Sequence, residues 1–198
     1  LVQRICRKTG TLAVGSYVRH PLTFLLEAAD DISYGVADVE DSFKKGLFSY
    51  HQLRKKIADK IQKYDKNDKY YYVKEAQQKL TELYVKGLEL CSSVKDAEMY
   101  AVQNWLQYIK GWLMWCAAYS FSINYTAIMK GEYHKELLED TYHEKTLEIL
   151  KETAKDYAFT HTSIMKLEIS AHKLLNSLLD KFVPAIIYFD CKNAGFKQ

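Results

Sequence analysis

Two ordered stripes run along one helix near the start of this chain, and together they set most of what it can fold into. Over roughly 21–45, Leu22, Leu25, Ala29, Ile32, Val36, Val39 and Phe43 recur at steps of three and four, a continuous apolar seam. Glu27, Asp30, Tyr34, Asp38 and Asp41 recur the same way, rotated about 100° from that seam. Carboxylates beside a buried face are costly to desolvate unless a cation or donor pairs with them. The acid row is therefore a candidate for metal and sugar chemistry.

The same reading extends along the chain. Leu1 to Lys8 reads as the tail of a helix that begins before the sequence does, and Thr9 to Arg19 as a loop broken by Gly10 and Gly15. Pro21 suits a first helical turn, and Gly46 suits a helix end. Ser49 can cap a second helix over about 50–64, followed by a polar turn at Asp65–Asp68. A third helix is expected from about Tyr71 to Leu90. Asp96 opens a long apolar one reaching about Lys130, with Gly131 as its stop. After a turn at Lys135 to Asp140 come helices at about 143–158 and 162–182, with Pro184 interrupting the last and Asp190–Gln198 frayed. No stretch alternates as a strand should. The predicted class is all-α, a multi-helix bundle forming a single unit over 1–198.

Composition excludes several alternatives. Two prolines and eight glycines in 198 residues leave little room for a turn-rich β fold. Cys6, Cys91, Cys116 and Cys191 lie far apart without CxxC spacing, which argues against zinc and for reduced thiols in a cytoplasmic protein. The most apolar stretch, Trp112 to Ile123, is too short and interrupted to span a bilayer, and no signal peptide is visible. A net charge of +3 is too weak by itself to argue for nucleic acid. Ten lysines and arginines crowd 44–74, which reads as a solvated face with a polyanion partner as the sharper alternative.

Spacing leaves the candidate residues open between two roles each. Asp30 is either an oxygen ligand for a hard divalent cation or an ion-paired acid at a helix border. Tyr34 and Asp38 follow at one-turn steps, and Asp38 lies about 12 Å along the axis from Asp30. That span suits a phosphate at one end and a sugar hydroxyl at the other, or else a surface acid and a rim tyrosine. Spacing alone reads Phe159 as core and Glu168 as an exposed helix acid. Trp105, Trp112 and Trp115 read as core or subunit interface. The six histidines do not pair at i, i+4, and no P-loop, GxSxG or GxGxxG occurs.

The run Arg19-His20-Pro21-Leu22-Thr23-Phe24-Leu25-Leu26-Glu27-Ala28-Ala29-Asp30-Asp31-Ile32-Ser33-Tyr34, continuing to Asp38-Val39-Glu40-Asp41, resembles the deoxyguanosine triphosphate triphosphohydrolases of the HD phosphohydrolase superfamily. Leu137-Leu138-Glu139-Asp140 and Phe159-x-His161-x6-Glu168 look like the same family. The resemblance implies that 21–45 is the last metal-ligand helix of an HD core, and that 46–198 is the family's C-terminal helical region. Asp30 matches the family's final metal ligand, for Mg²⁺ or Mn²⁺. Tyr34 matches a residue at the deoxyribose, Asp38 an acceptor for the 3′-hydroxyl, and Phe159 and Glu168 the positions facing guanine. The family's His…His-Asp ligands and acid/base residues have no counterpart here and are expected upstream. No catalytic residue is assigned within the chain.

The expected parent activity is hydrolysis of dGTP, or another dNTP, to the nucleoside and tripolyphosphate. Metal-activated water would attack the α-phosphorus. The family also implies a homo-oligomer, usually a hexamer. Two other readings stand beside this one: a catalytically silent binding or assembly module, and an HD phosphohydrolase acting on a different nucleotide.

Overall fold

The computed structural model describes residues 2–9, 11–13, 16–63, 68–160 and 162–193. Gly10, Gly15, most of the expected turn at 65–68, His161 and the terminal 194–198 lie outside the described residues. The chain divides into two compact units, Leu1–Ala158 and Phe159–Gln198.

The first unit opens with α1 (Val2–Thr9) and a two-residue antiparallel ribbon, β1 (Leu12–Ala13) with β2 (Ser16–Tyr17), inside the span expected to be loop. Then come α2 (Pro21–Lys44), α3 (Tyr50–Lys63), α4 (Asp68–Leu90), α5 (Val94–Ile123), α6 (Tyr125–Lys130) and α7 (Glu144–Thr153). A π-helical segment, Ala154–Phe159, continues from α7. α5 is the central element, packed along α4 on one side and α2 on the other, while α7 closes against α2, α3 and α4. Its inward row Trp105, Leu106, Ile109 and Leu113 is fully buried with Val73 and Leu80 of α4, Leu53 and Ile57 of α3, and Val39 of α2. The Trp105 indole N–H donates to the Ala76 carbonyl at 2.7 Å, so the largest buried side chain leaves no polar atom unpaired.

Local chemistry explains the helix ends. His20 caps α2, its Nδ1 accepting from the Leu22 N–H at 3.2 Å, and Pro21 fills the first turn where no amide is needed. Ser49 and Gln52 bond each other's backbone N–H reciprocally at the head of α3. Ser93 accepts from the Asp96 N–H, starting α5 two residues before Asp96.

Three expectations are corrected. The buried face of α2 is Phe24, Ala28, Ile32, Val36, Val39 and Phe43; Leu22 and Ala29 are exposed. The first two turns are apolar nearly all round, so periodicity could not choose the face, and the edge-on contact of Phe24 with Tyr133 does. The long helix is two pieces, because the Asn124 amide turns back to the Ser120 carbonyl at 2.9 Å and ends α5. The tryptophan reading, core or subunit interface, is not among these: Trp105 is core, and Trp112 and Trp115 are partly exposed. Pro184 does not interrupt its helix.

The second unit is α8, Thr162–Asn193, running through Pro184 and through residues 190–193 that were expected to fray. Every described side chain from 165 to 189 is exposed, so the carbonyl that proline leaves without an amide partner is open to water.

Candidate functional site

α2 places Asp30, Tyr34 and Asp38 one turn apart along a ridge beside its buried face. The helix is held on several sides. Glu40 accepts from Gln103 of α5 at 3.1 Å and pairs with Lys44 at 2.6 Å. Gly35 lets α7 approach, since a methyl there would meet Leu147 at 3.3 Å. Lys151 of α7 pairs with Asp31 at 2.8 Å. A ridge fixed in this way loses little conformational entropy when a ligand docks on it.

A small cavity of about 240 Å³ lies at the first half of the ridge, bounded by Arg19, Phe24, Glu27, Asp30, Asp31 and the 136–138 segment. Three of its five charged side chains, Arg19, Glu27 and Asp31, are committed to ion pairs, and Glu136 has none among the described residues. Arg19 pairs with Glu27 at 3.0 Å while its guanidinium lies 5.3 Å from the centre of the Phe24 ring. Asp31 is held by Lys151. Asp30, exposed between these two, has no ion pair or side-chain hydrogen bond among the described residues.

Tyr34 stands out from the helix, 68% exposed as a residue. Asp38 is half-buried. Burial pushes its carboxyl above the usual carboxylate range, Asp41 pushes the same way, and Lys45 opposes them. Its carboxylate can accept a hydroxyl hydrogen bond once pH exceeds that raised value.

Phe159 and Glu168 fall in the second unit. Phe159 ends the π-helical segment half exposed, against its reading as core, and Glu168 is exposed on α8.

A divalent metal does not fit these residues alone. Hard cations take six or more oxygens, and Asp30 supplies one carboxylate. Among the described residues no three His, Cys, Asp or Glu side chains are placed to hold a metal ion. Among the described residues, too, no helix is long and apolar enough to cross a membrane.

A larger cavity escaped the sequence reading. It lies between the last turns of α5 and the 132–142 loop, encloses about 540 Å³, and is walled by Trp115, Tyr119, Tyr133 and Tyr142. Its one legible signal is the pair of aromatics Trp115 and Tyr119, one helical turn apart.

No family model matches the chain. Curated relatives do. It is 34% identical over 173 residues to a deoxyguanosinetriphosphate triphosphohydrolase-like protein of Listeria monocytogenes, which is 87% of this chain and 35% of that protein. It is 33% identical over 184 residues to a deoxyguanosinetriphosphate triphosphohydrolase of Klebsiella pneumoniae, and 30% identical over 187 residues to one of Salmonella arizonae. Each of those two matches covers 92% of this chain and 35% of the relative. The chain is a homologue of these proteins and spans about a third of their length.

Proposed function

We propose that this homologue of the deoxyguanosinetriphosphate triphosphohydrolases is the nucleotide-orienting helical part of a dNTP triphosphohydrolase, with dGTP as its substrate. The free carboxylate of Asp30 is the observation that carries this reading. Its neighbours Glu27 and Asp31 are paired with Arg19 and Lys151, which leaves Asp30 on the helix, with Glu136 across the cavity, to meet a cation without a competing ion pair among the described residues.

Asp30 gives one oxygen to a Mg²⁺ or Mn²⁺ ion whose other ligands come from outside these residues. When bound, that ion activates water and neutralises phosphoryl charge. The chain's own residues bind and orient. The Tyr34 ring covers the deoxyribose, and Asp38 accepts a hydrogen bond from its 3′-hydroxyl. Phe159 stacks on the base. Glu168 accepts from the adjacent N1–H and N2–H donors of guanine, donors that a wrong base would not present.

The test is tripolyphosphate release from dGTP with Mn²⁺ by the full-length protein. Asp30→Ala should lose at least about a hundredfold in turnover. Glu168→Gln should narrow the preference for dGTP over the other dNTPs. Undiminished turnover by Asp30→Ala would overturn the reading.

The lone carboxylate also favours a narrower statement, that these 198 residues by themselves bind without turnover. Turnover of dGTP by the isolated chain would refute it. On α8, Leu175, Leu178, Phe182 and Phe189 form an exposed apolar row that a second copy would cover in a homo-oligomer. Sedimentation of the full-length protein as a monomer would exclude that.

A further inference from the structure

We propose that the aromatic-walled cavity between α5 and the 132–142 loop binds a small organic ammonium cation. Four features carry this. The first is size: about 540 Å³ lies in the range of small-molecule sites. The second is the wall. Trp115 and Tyr119 stand on successive turns of α5 with rings 5.2 Å apart and only 7° from parallel, each about half exposed. Tyr133 and Tyr142 face the same space from the loop. Aromatic faces attract a desolvated ammonium through their quadrupoles, and several together make a cage for it.

The third feature is the charge balance of the lining. Its ionisable groups are Glu132, His134, Lys135, Glu139 and Asp140, with the Cys116 thiol at the floor. Lys135 is spent on Asp140 at 2.6 Å. Glu139 accepts from the Glu136 N–H through one oxygen and keeps the other. Glu132 has no ion pair among the described residues. Two carboxylates are therefore left uncompensated beside four rings. A phosphate would be repelled by this wall, so the cavity does not extend the nucleotide site proposed at Asp30.

The fourth feature is what the interior lacks. The floor is Cys116 and Ser120, both buried, with the Asn124 amide already donating to Ser120. Such a floor does not supply the oxygen shell that a bare metal ion would need, and it leaves apolar volume for methyl or methylene groups. Choline-like quaternary ammoniums and extended polyamines both meet this description.

The experiment uses the 198-residue chain. Tryptophan fluorescence is titrated with choline, with spermidine, and with 3,3-dimethyl-1-butanol, which has choline's shape without its charge. Acetyl-lysinamide forms a further arm, so that a free small cation is told apart from a protein side chain as the source. Saturable quenching by choline or spermidine is expected, at least about tenfold tighter than by the neutral isostere. Trp115→Ala should weaken it about tenfold or more, and the Glu132→Gln, Glu139→Gln pair roughly fivefold or more, with circular dichroism unchanged. All three residues are exposed or half exposed, so folding is not at stake. Equal binding of cation and isostere, undiminished binding in both variants, or no saturation by any cation at tens of millimolar would overturn the proposal.

Discussion

Gly87 lies so close to Ala97 that a side-chain carbon built on it would meet the Ala97 carbonyl oxygen at 2.8 Å and its Cα at 3.1 Å. This is the contact that lets α4 and α5 run against each other as a tight hairpin. Backbone cannot give way as a side-chain tip can. Gly87→Ala should therefore cost about 1–3 kcal/mol, overriding the gain in helix propensity. Gly111, in the middle of α5, has nothing within 4 Å of the same position. Gly111→Ala should stabilise by roughly 0.5–1 kcal/mol. Urea denaturation of the two variants should give shifts of opposite sign, and shifts of the same sign would contradict the packing described.

His143 should make the fold sensitive to mild acid. Its ring is 2% exposed, lies against Trp112 at 5.4 Å and meets Tyr72 edge-on at 5.3 Å, and its Nδ1 has no partner among the described residues. Burial pushes its pKa below the ordinary 6.5, with Glu75 pulling the other way. The folded state thus resists the proton that the unfolded chain accepts. Stability is full above about 6.5 and falls as pH drops from there toward the folded value, by at most about 1.4 kcal/mol per pH unit. Urea melts between pH 7.5 and 5.5 should show this slope, and His143→Phe should flatten it.

Helices were legible because their periods and caps are local. Pro21, Ser49 and Gly131 each act within a turn of where they stand, and the helix carrying Asp30, Tyr34 and Asp38 needed nothing more. What escaped depends on contacts between distant positions. Phe24 takes the face that Leu22 was expected to take because Tyr133 packs on it, 109 positions away. Lys151 reaches Asp31 across 120 positions, and that pairing tells Asp30 apart from the acid beside it. The larger cavity joins an α5 face to a loop, and no period in the chain encodes that meeting. Asn124 is different: its side-chain bond to Ser120 is local, but an asparagine within an apolar helical run is compatible with either continuing or ending the helix.

Glu40 predicts a second pH effect, opposite in origin. Its hydrogen bond from Lys44 holds the carboxyl below the usual range, burial works against this, and Gln103 adds to the lowering. A depressed carboxylate contributes stability that is present above its unfolded value near 4.5 and lost as pH falls through the folded one. Glu40→Gln should therefore be less stable than the parent at pH 7 by about 1 kcal/mol or less, since the Lys44 partner is half exposed. The difference should shrink as pH falls below 4.5 and vanish once the carboxyl is protonated in the folded state as well. A gap that persisted there would mean the loss comes from packing against Gln103 instead.

Gly131 begins the loop that walls both cavities, with Glu136, Leu137 and Leu138 on the Asp30 side and 132–135 and 139–142 on the aromatic side. Two separate constraints act on it. Its φ of 75° is in the left-handed region, where it ends α6 while the Glu132 N–H reaches back to the Ala127 carbonyl at 2.9 Å. A methyl there would also meet the Val18 Cγ1 at 2.7 Å. Gly131→Ala should cost about 2–3 kcal/mol, of which roughly 1 is backbone strain. Combining it with Val18→Ala removes the two γ-methyl contacts, keeps the Val18 Cβ at 3.0 Å and leaves the strain, so the double variant should lose less than the two single losses added together. Additive losses in urea denaturation would show that the backbone angle, and not the contact with Val18, fixes glycine at this position.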